Sequence, residues 1–265
     1  MKILVIGDIV GRPGRKAAKE AILKLKKKHR FDLIIANGEN LAHGSGITLT
    51  TLKEMREAGV DIFTTGNHIW RHPEVFPEMQ KDNTIILRPA NYPPSNLGHG
   101  QRLLKVKNKK ILVINLIGRV FMDKAYDCPF RKMDEILGRF EKEKLDAILV
   151  DFHAEATSEK AALKHYLDGR VTALWGTHTH VATADAEVTA KGTAFITDVG
   201  MTGPTDSIIG AVKEPVLESF LKQIPFRLDV AEGACIFNAV VIEITGKGLP
   251  DSQAGKAKSI KPIRL

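Results

Sequence analysis

The sequence has only two cysteines and no long hydrophobic run, and each shortage excludes a class of protein. Cys128 and Cys235 are too few for a disulfide framework or a thiolate metal site, which favours a reduced, cytoplasmic protein. No segment approaches the roughly 20 consecutive apolar residues that a membrane span needs, so the sequence excludes an integral membrane protein. The segment from Met1 to Asp8 lacks the features of a secretory signal, and secretion is not expected.

The charge balance favours anionic ligands. The 265 residues include 39 Lys and Arg against 31 Asp and Glu, a formal net charge of +8. Such an excess suits phosphates and nucleic acid alike. Because the basic runs are not interleaved with aromatic residues, nucleic acid stays open as a partner without a motif that supports it. Homo-oligomers are also left open, since no heptad or apolar helix face stands out.

Hydrophobic periodicity predicts strands and helices that alternate along the chain. The pattern predicts strands at Lys2–Gly7, Asp32–Ala36, Asp61–Thr65, Thr84–Leu87, Ala147–Val150 and Val171–Leu174, a hairpin of Arg102–Val106 and Ile111–Leu116, and later strands at Ala186–Thr189, Thr193–Thr197 and Cys235–Ile244. It predicts helices at Arg15–Lys28, Thr48–Ala58, Arg131–Glu143, Glu159–Leu167 and Glu214–Gln223. The whole chain, 1–265, is therefore expected to form one α/β domain, a layered sheet with helices on both faces.

Two segments, 119–131 and 256–265, do not follow this alternating pattern. Residues 119–131 are irregular and contain Phe121, Tyr126 and Phe130, which favours either a lid whose rings stack on a base or an anchored loop. Residues 256–265 are basic and are expected to form a loosely held tail.

Metal-competent side chains follow five of the predicted strands. They are Asp8, Glu39, Asn40, Asn67, His68, His153, His178 and His180. Each alone is a weak signal: Asn67 could be a turn residue and His153 a hydrogen-bonded histidine. Ligands of α/β proteins gather at the carboxyl ends of the strands, so all five strand ends together predict one site.

The types of donor indicate the metal. Carboxylate, amide oxygen and imidazole without thiolate suit Fe, Mn, Zn or Ni. Seven or more candidate ligands exceed what one ion needs, which favours a pair of ions about 3.5–4 Å apart. With only Asp8 and Glu39 as anionic ligands, two divalent ions keep a positive surplus that suits a hydroxide and a phosphate oxygen.

These residues, in this order, resemble the calcineurin-like metallophosphoesterases. The sequence departs from the common pattern of these proteins in two places. Val10 stands where a D-x-H motif has its histidine, and the block Gly38-Glu39-Asn40 stands where most members have Gly-Asp. Both departures resemble the YmdB-type branch. So do the segments Gly7–Gly14 and Asp198–Pro204. The resemblance covers the chain from Met1 to about Ile244.

The resemblance implies a bacterial phosphodiesterase that hydrolyses 2',3'-cyclic nucleotides to nucleoside monophosphates at a di-iron centre, with manganese as the alternative metal. It assigns Asp8, Glu39, Asn40 and His180 to one ion and Glu39, Asn67, His153 and His178 to the other. His68 becomes the general acid, or alternatively a hydrogen-bonding residue of the site. Open alternatives for the function are a phosphatase or nuclease that uses the same centre, and a regulatory protein that binds a phosphorylated ligand with weak catalysis.

Overall fold

The computed structural model describes residues 1–225, 227–245 and 255–265. Its strands are β1 (Lys2–Ile6), β2 (Asp8–Ile9), β3 (Leu33–Asn37), β4 (Ile62–Thr64), β5 (Ile86–Leu87), β6 (Gln101–Val106), β7 (Lys109–Ile117), β8 (Ala147–His153), β9 (Ala173–Thr177), β10 (Glu187–Val188), β11 (Ala194–Ile196), β12 (Met201–Pro204), β13 (Cys235–Ile236), β14 (Asn238–Ile244) and β15 (Ala257–Arg264). Its α-helices are α1 (Gly11–Lys28), α2 (Leu49–Ala58), α3 (Phe76–Met79), α4 (Pro129–Arg139), α5 (Thr157–Leu167) and α6 (Lys213–Lys222).

Most of the strands form two six-stranded sheets. The first has the order β15-β14-β1-β3-β4-β5 and the second the order β10-β11-β9-β8-β7-β6. A small third sheet, β13-β12-β2, brings Asp8 and Met201 into register on neighbouring parallel strands. The structure therefore divides the predicted sheet into two stacked sheets.

Three hydrophobic clusters define the layers. One joins the outer face of the first sheet to α1 and α2, with Ile22, Met55 and Phe63 fully buried. A second contains residues of both sheets, among them Val5 and Trp175, and so lies between them. A third packs the outer face of the second sheet against α4 and α5. The order of layers is helix, sheet, sheet, helix, because each sheet buries one face against the other and one against helices.

The C-terminal segment corrects one prediction. Residues 256–265 were expected to form a loose tail, but β15 pairs antiparallel with β14 at the edge of the first sheet. Its apolar residues Ala257, Ile260 and Ile263 recur every third position, which hides the two-residue period of a strand. Lys258, Lys261 and Pro262 are typical of an edge strand, where charge and proline block further pairing.

Two further boundaries differ from prediction. The expected single strand over Cys235–Ile244 is interrupted at Phe237, so that β13 joins the small sheet and β14 the first sheet. The predicted irregular segment ends earlier, because α4 begins at Pro129. Among the described residues no helix is both long and apolar enough to cross a membrane.

Candidate metal centre

Most of the predicted ligands lie at the carboxyl ends of strands of the two large sheets, and Asp8 lies between β1 and β2. Asp8 starts β2 of the small sheet, and Glu39 and Asn40 follow β3 of the first sheet. Asn67 and His68 follow β4, His153 ends β8, and His178 and His180 follow β9 of the second sheet. Because the two large sheets are stacked with these ends at one edge, residues far apart in sequence meet there.

Glu39, His153 and His178 form the tightest group. His153 Nε2 lies 2.9 Å from Glu39 Oε1 and 3.0 Å from His178 Nδ1. One ligand atom from each of the three residues lies within 4.8 Å of the others. His153 and Glu39 are buried, so water does not screen this arrangement. The three residues could together hold a cation.

Asp8 and His180 form a second pair beside this group. Asp8 Oδ1 lies 3.8 Å from His180 Nε2 and 3.9 Å from His153 Nδ1. His180 Nδ1 lies 2.7 Å from the carbonyl of Ile209, so this nitrogen carries the proton and Nε2 offers its lone pair toward Asp8. Both His178 and His180 have positive φ values, 98° and 65°, a strained backbone that is characteristic of functional sites.

Three buried acceptor oxygens of the predicted ligands have no hydrogen-bond partner in the described structure: Asp8 Oδ1, Asn40 Oδ1 and Asn67 Oδ1. Orphaned acceptors at full burial are costly, and a native protein rarely leaves three of them among eight neighbouring side chains. A bound cation can satisfy such an oxygen in the same way as a hydrogen-bond donor. The donor set and these oxygens therefore fit a hard or borderline divalent metal.

The electrostatics of the residues are strongly coupled. Burial acts to raise the pKa of Glu39, but the charge of His153 and its hydrogen bond lower it to about 2. Burial acts to lower the pKa of His153, but Glu39 raises it to about 9. Burial and the neighbouring His153 lower the pKa of His178 to about 3, and burial raises that of Asp8 to about 6. Opposite shifts of this size in adjacent groups are typical of a functional site.

Gly66 leaves the space in which Glu39 and His153 meet. A Cβ atom at this position would lie 2.2 Å from Glu39 Oε2 and 2.2 Å from His153 Cδ2. Gly7 has a similar role below Asp8, since its Cβ would lie 1.7 Å from the carbonyl oxygen of Gly200. The second contact shows that the backbones around Gly7 and Gly200 are adjacent, and the N–H of Asp8 donates to the carbonyl of Gly200 at 3.2 Å.

A buried polar network beneath His153 was not predicted. Thr177 Oγ1 donates to Asp151 Oδ1 at 2.7 Å and therefore accepts from His153 Nδ1 at 2.9 Å. Asp151 also accepts from Thr64 and, at 3.5 Å, from Asn37. The network fixes the proton on His153 Nδ1 and leaves Nε2 to face Glu39. The sequence signal, a polar Asp151 inside an apolar strand, was visible but pointed to no partner.

Two acidic residues near His178 were also missed as parts of the site. Glu155 Oε2 lies 3.2 Å from His178 Nε2. Asp198 accepts hydrogen bonds from the backbone and hydroxyl of Thr179 and pairs with the buried Lys160 at 2.7 Å. Asp198 thus holds the loop between the two predicted ligands His178 and His180.

His68 lies at the border of the group. Its backbone N–H donates to Glu39 Oε2 at 3.3 Å, and its Nδ1 lies 3.7 Å from Glu39 Oε1. The side chain is 31% exposed, in contrast to the buried His153. Glu39 therefore holds the backbone of His68, and the His68 side chain remains partly accessible to a substrate.

The predicted α/β layered architecture is confirmed. The chain superposes on a 5'-nucleotidase precursor from Thermus thermophilus with a TM-score of 0.53 at 12% identity, covering 100% of this chain and 54% of the other, which shows the shared fold alone. A sequence profile of the YmdB-like proteins matches residues 4–263, and the chain belongs to that family.

Two relatives cover almost the full chain. A protein of Bacillus subtilis strain 168 named 2',3'-cyclic-nucleotide 2'-phosphodiesterase is 46% identical over 265 residues, 100% of this chain and 97% of the relative. A crystal structure described as a novel phosphatase from Mycoplasma pneumoniae superposes with a TM-score of 0.90 at 36% identity, covering 100% of this chain and 93% of the other.

Proposed function

We propose that this chain is a phosphodiesterase that uses two divalent metal ions to hydrolyse 2',3'-cyclic nucleotides to nucleoside monophosphates. The observation that carries the proposal is the convergence of Glu39, His153 and His178 within 4.8 Å at an edge that also holds unpartnered oxygens of Asp8, Asn40 and Asn67. The name of the Bacillus subtilis relative supports the choice of substrate.

The candidate donors are enough to hold two ions, and Glu39 would contribute to both. Glu39, His153, His178 and Asn67 would hold one ion, and Asp8, Asn40, His180 and Glu39 the other. Glu39 suits the shared position because both of its oxygens face other residues of the site: Oε1 faces His153 and Oε2 accepts from the backbone of His68. The proposed metal is iron, with manganese as the alternative, because nitrogen and oxygen donors accept either.

When bound, the ions supply the positive charge that makes a water nucleophilic and neutralises the phosphate oxygens. The residues of the chain supply the proton and position the reacting groups. The water oxygen forms a bond to phosphorus while the P–O bond between phosphorus and one ribose oxygen of the ring breaks. His68 donates a proton to that ribose oxygen as it departs. A histidine suits this step because its pKa ordinarily lies near neutrality. Glu39 fixes the backbone position of His68 by accepting a hydrogen bond from its N–H.

An assay with four phosphate esters tests this proposal. The protein is treated with chelator, reloaded with Fe(II) under anaerobic conditions or with Mn(II), and assayed with 2',3'-cyclic AMP, 3',5'-cyclic AMP, an aryl phosphodiester and an aryl phosphomonoester. We expect turnover that requires metal and favours the 2',3'-ring.

The other outcomes contradict the proposal in distinct ways. Turnover of the monoester alone would favour a phosphatase, the description given to the Mycoplasma pneumoniae protein. Turnover of the aryl diester alone would keep the metal centre but require another natural substrate. Binding of cyclic nucleotide without turnover under either metal would favour a regulatory binding protein.

A further inference from the structure

An aromatic cavity of about 550 Å³ lies near the candidate metal centre. Its walls include Trp70, Phe76, Tyr92, Tyr126 and Lys124. The volume falls in the range of about 300–1,000 Å³ that small-molecule sites occupy. None of these residues has a role in the chemistry proposed above, yet together they form an apolar wall with a cationic rim.

Two connections place the cavity beside the metal centre. Along the chain, Trp70 lies two residues after His68, in the short 3₁₀-helix Ile69–Arg71. Across the sheet, Ile117 packs with the two tyrosines of the cavity and lies opposite His153 in the register of β7 and β8. A molecule whose phosphate reached His68 and His153 would therefore have its other end next to these rings.

The rings hold each other in fixed orientations. Trp70 meets Tyr92 edge to face with centroids 5.5 Å apart and an interplanar angle of 89°, and it meets Phe76 at 5.8 Å and 72°. Tyr92 and Tyr126 are 5.0 Å apart at 81°. Edge-to-face pairs of this kind stabilise one arrangement of the rings. The wall is therefore formed before a ligand arrives, which lowers the entropic cost of binding.

We infer that this cavity is the subsite for the base of the nucleotide, with Trp70 as the principal stacking surface and Lys124 and Asn96 at the polar rim. The inference rests on the proposed function, since it names the part of the substrate that the metal centre does not hold. Stacking on an aromatic ring suits every base because each has a π-face. The subsite thus selects nucleosides over simple phosphodiesters rather than one base over another.

Tryptophan fluorescence tests the subsite without catalysis. The chain has two tryptophans, and Trp175 is fully buried in the core, so Trp70 is the one that a ligand can reach. We expect adenosine 3'-phosphate to quench the emission of the metal-loaded protein and ribose 5-phosphate to leave it unchanged. The Trp70→Leu variant should lose the response, while Phe121→Leu, an 86% exposed aromatic outside the cavity, should keep it. Equal quenching in Trp70→Leu and the natural protein would overturn the inference.

A pair of substrates separates this inference from the proposed function. The natural protein is assayed with 2',3'-cyclic AMP and with the 2,3-cyclic phosphate of methyl riboside, which has no base. We expect Trp70→Leu to raise KM for the nucleotide about tenfold, the effect of one lost base–aromatic stack, and to leave the base-free substrate unchanged. Equal KM values for both substrates in the natural protein would overturn the inferred base subsite but would leave the proposed phosphodiesterase activity standing. If neither substrate is turned over, the proposed phosphodiesterase function is contradicted. The fluorescence experiment then still tests the base subsite.

Discussion

His68 is the residue whose role can be separated most cleanly from metal binding. It touches Glu39 through its backbone, and its side chain remains partly exposed. The His68→Ala variant should therefore lose turnover about 100- to 10,000-fold, the contribution of a general acid, and keep the metal content of the natural protein. Turnover and metal analysis of the same preparation check this. His165→Ala, an exposed histidine on α5, is the matched control. Loss of metal from the His68 variant would instead make His68 a ligand.

Gly66 offers a second prediction at the scale of one residue. A methyl group there would enter the contact between Glu39 and His153. Gly66→Ala should reduce turnover by about 100-fold, the cost of displacing reacting groups by about 1 Å, and should weaken metal retention on dialysis.

The control for Gly66 is Gly138→Ala, since the added methyl group in helix α4 would have no described atom within 4 Å other than those of its chain neighbours and its own helix backbone. That variant should keep full turnover and gain up to about 1 kcal/mol of stability from its helix propensity. Full turnover in Gly66→Ala would show that the group around Glu39 is not packed as described.

At the scale of elements, the buried ion pair of Lys160 and Asp198 connects α5 to the loop that carries His178 and His180. Lys160 is 2% exposed, and Asp198 also accepts from Thr179. Lys160→Met should destabilise the fold by about 3–5 kcal/mol because it leaves a buried carboxylate unpaired. It should also weaken metal binding, because the loop loses its support.

Urea unfolding of matched variants tests this pair. Lys110→Met breaks an exposed pair with Glu143 at 2.6 Å and should cost less than about 1 kcal/mol. The double variant Lys160→Met with Asp198→Asn should recover part of the loss, because the amide oxygen still accepts from Thr179 and no charge remains unpaired. Equal unfolding free energies for Lys160→Met and Lys110→Met would contradict the supporting role.

The elements also show what the sequence could and could not predict. Strand ends are local features, so the apolar runs before Asp8, Glu39 and His153 were enough to predict which side chains share an edge. The division into two sheets was not predictable in this way, because it depends on pairing between distant strands. The same holds for β15, whose partner β14 decides its structure, and for the aromatic cavity, whose walls come from separate segments.

For the whole molecule, the stacking of two sheets explains why the site is built from both halves of the chain. The first sheet supplies Glu39 through β3, and the second supplies His153 and His178 through β8 and β9. The core between the sheets fixes the distance between these residues, since Val5 and Trp175 belong to the same buried cluster. The centre is therefore expected to form only when both sheets have folded and stacked.

Metal titration of turnover tests the central claim most directly. Chelator-treated protein receives increasing equivalents of Mn(II), and the initial rate of hydrolysis of 2',3'-cyclic AMP is measured at each step. Two ions that share Glu39 predict little turnover up to one equivalent, a rise as the second is added and a plateau at two. Full turnover at one equivalent, or in the metal-free protein, would contradict the dinuclear centre.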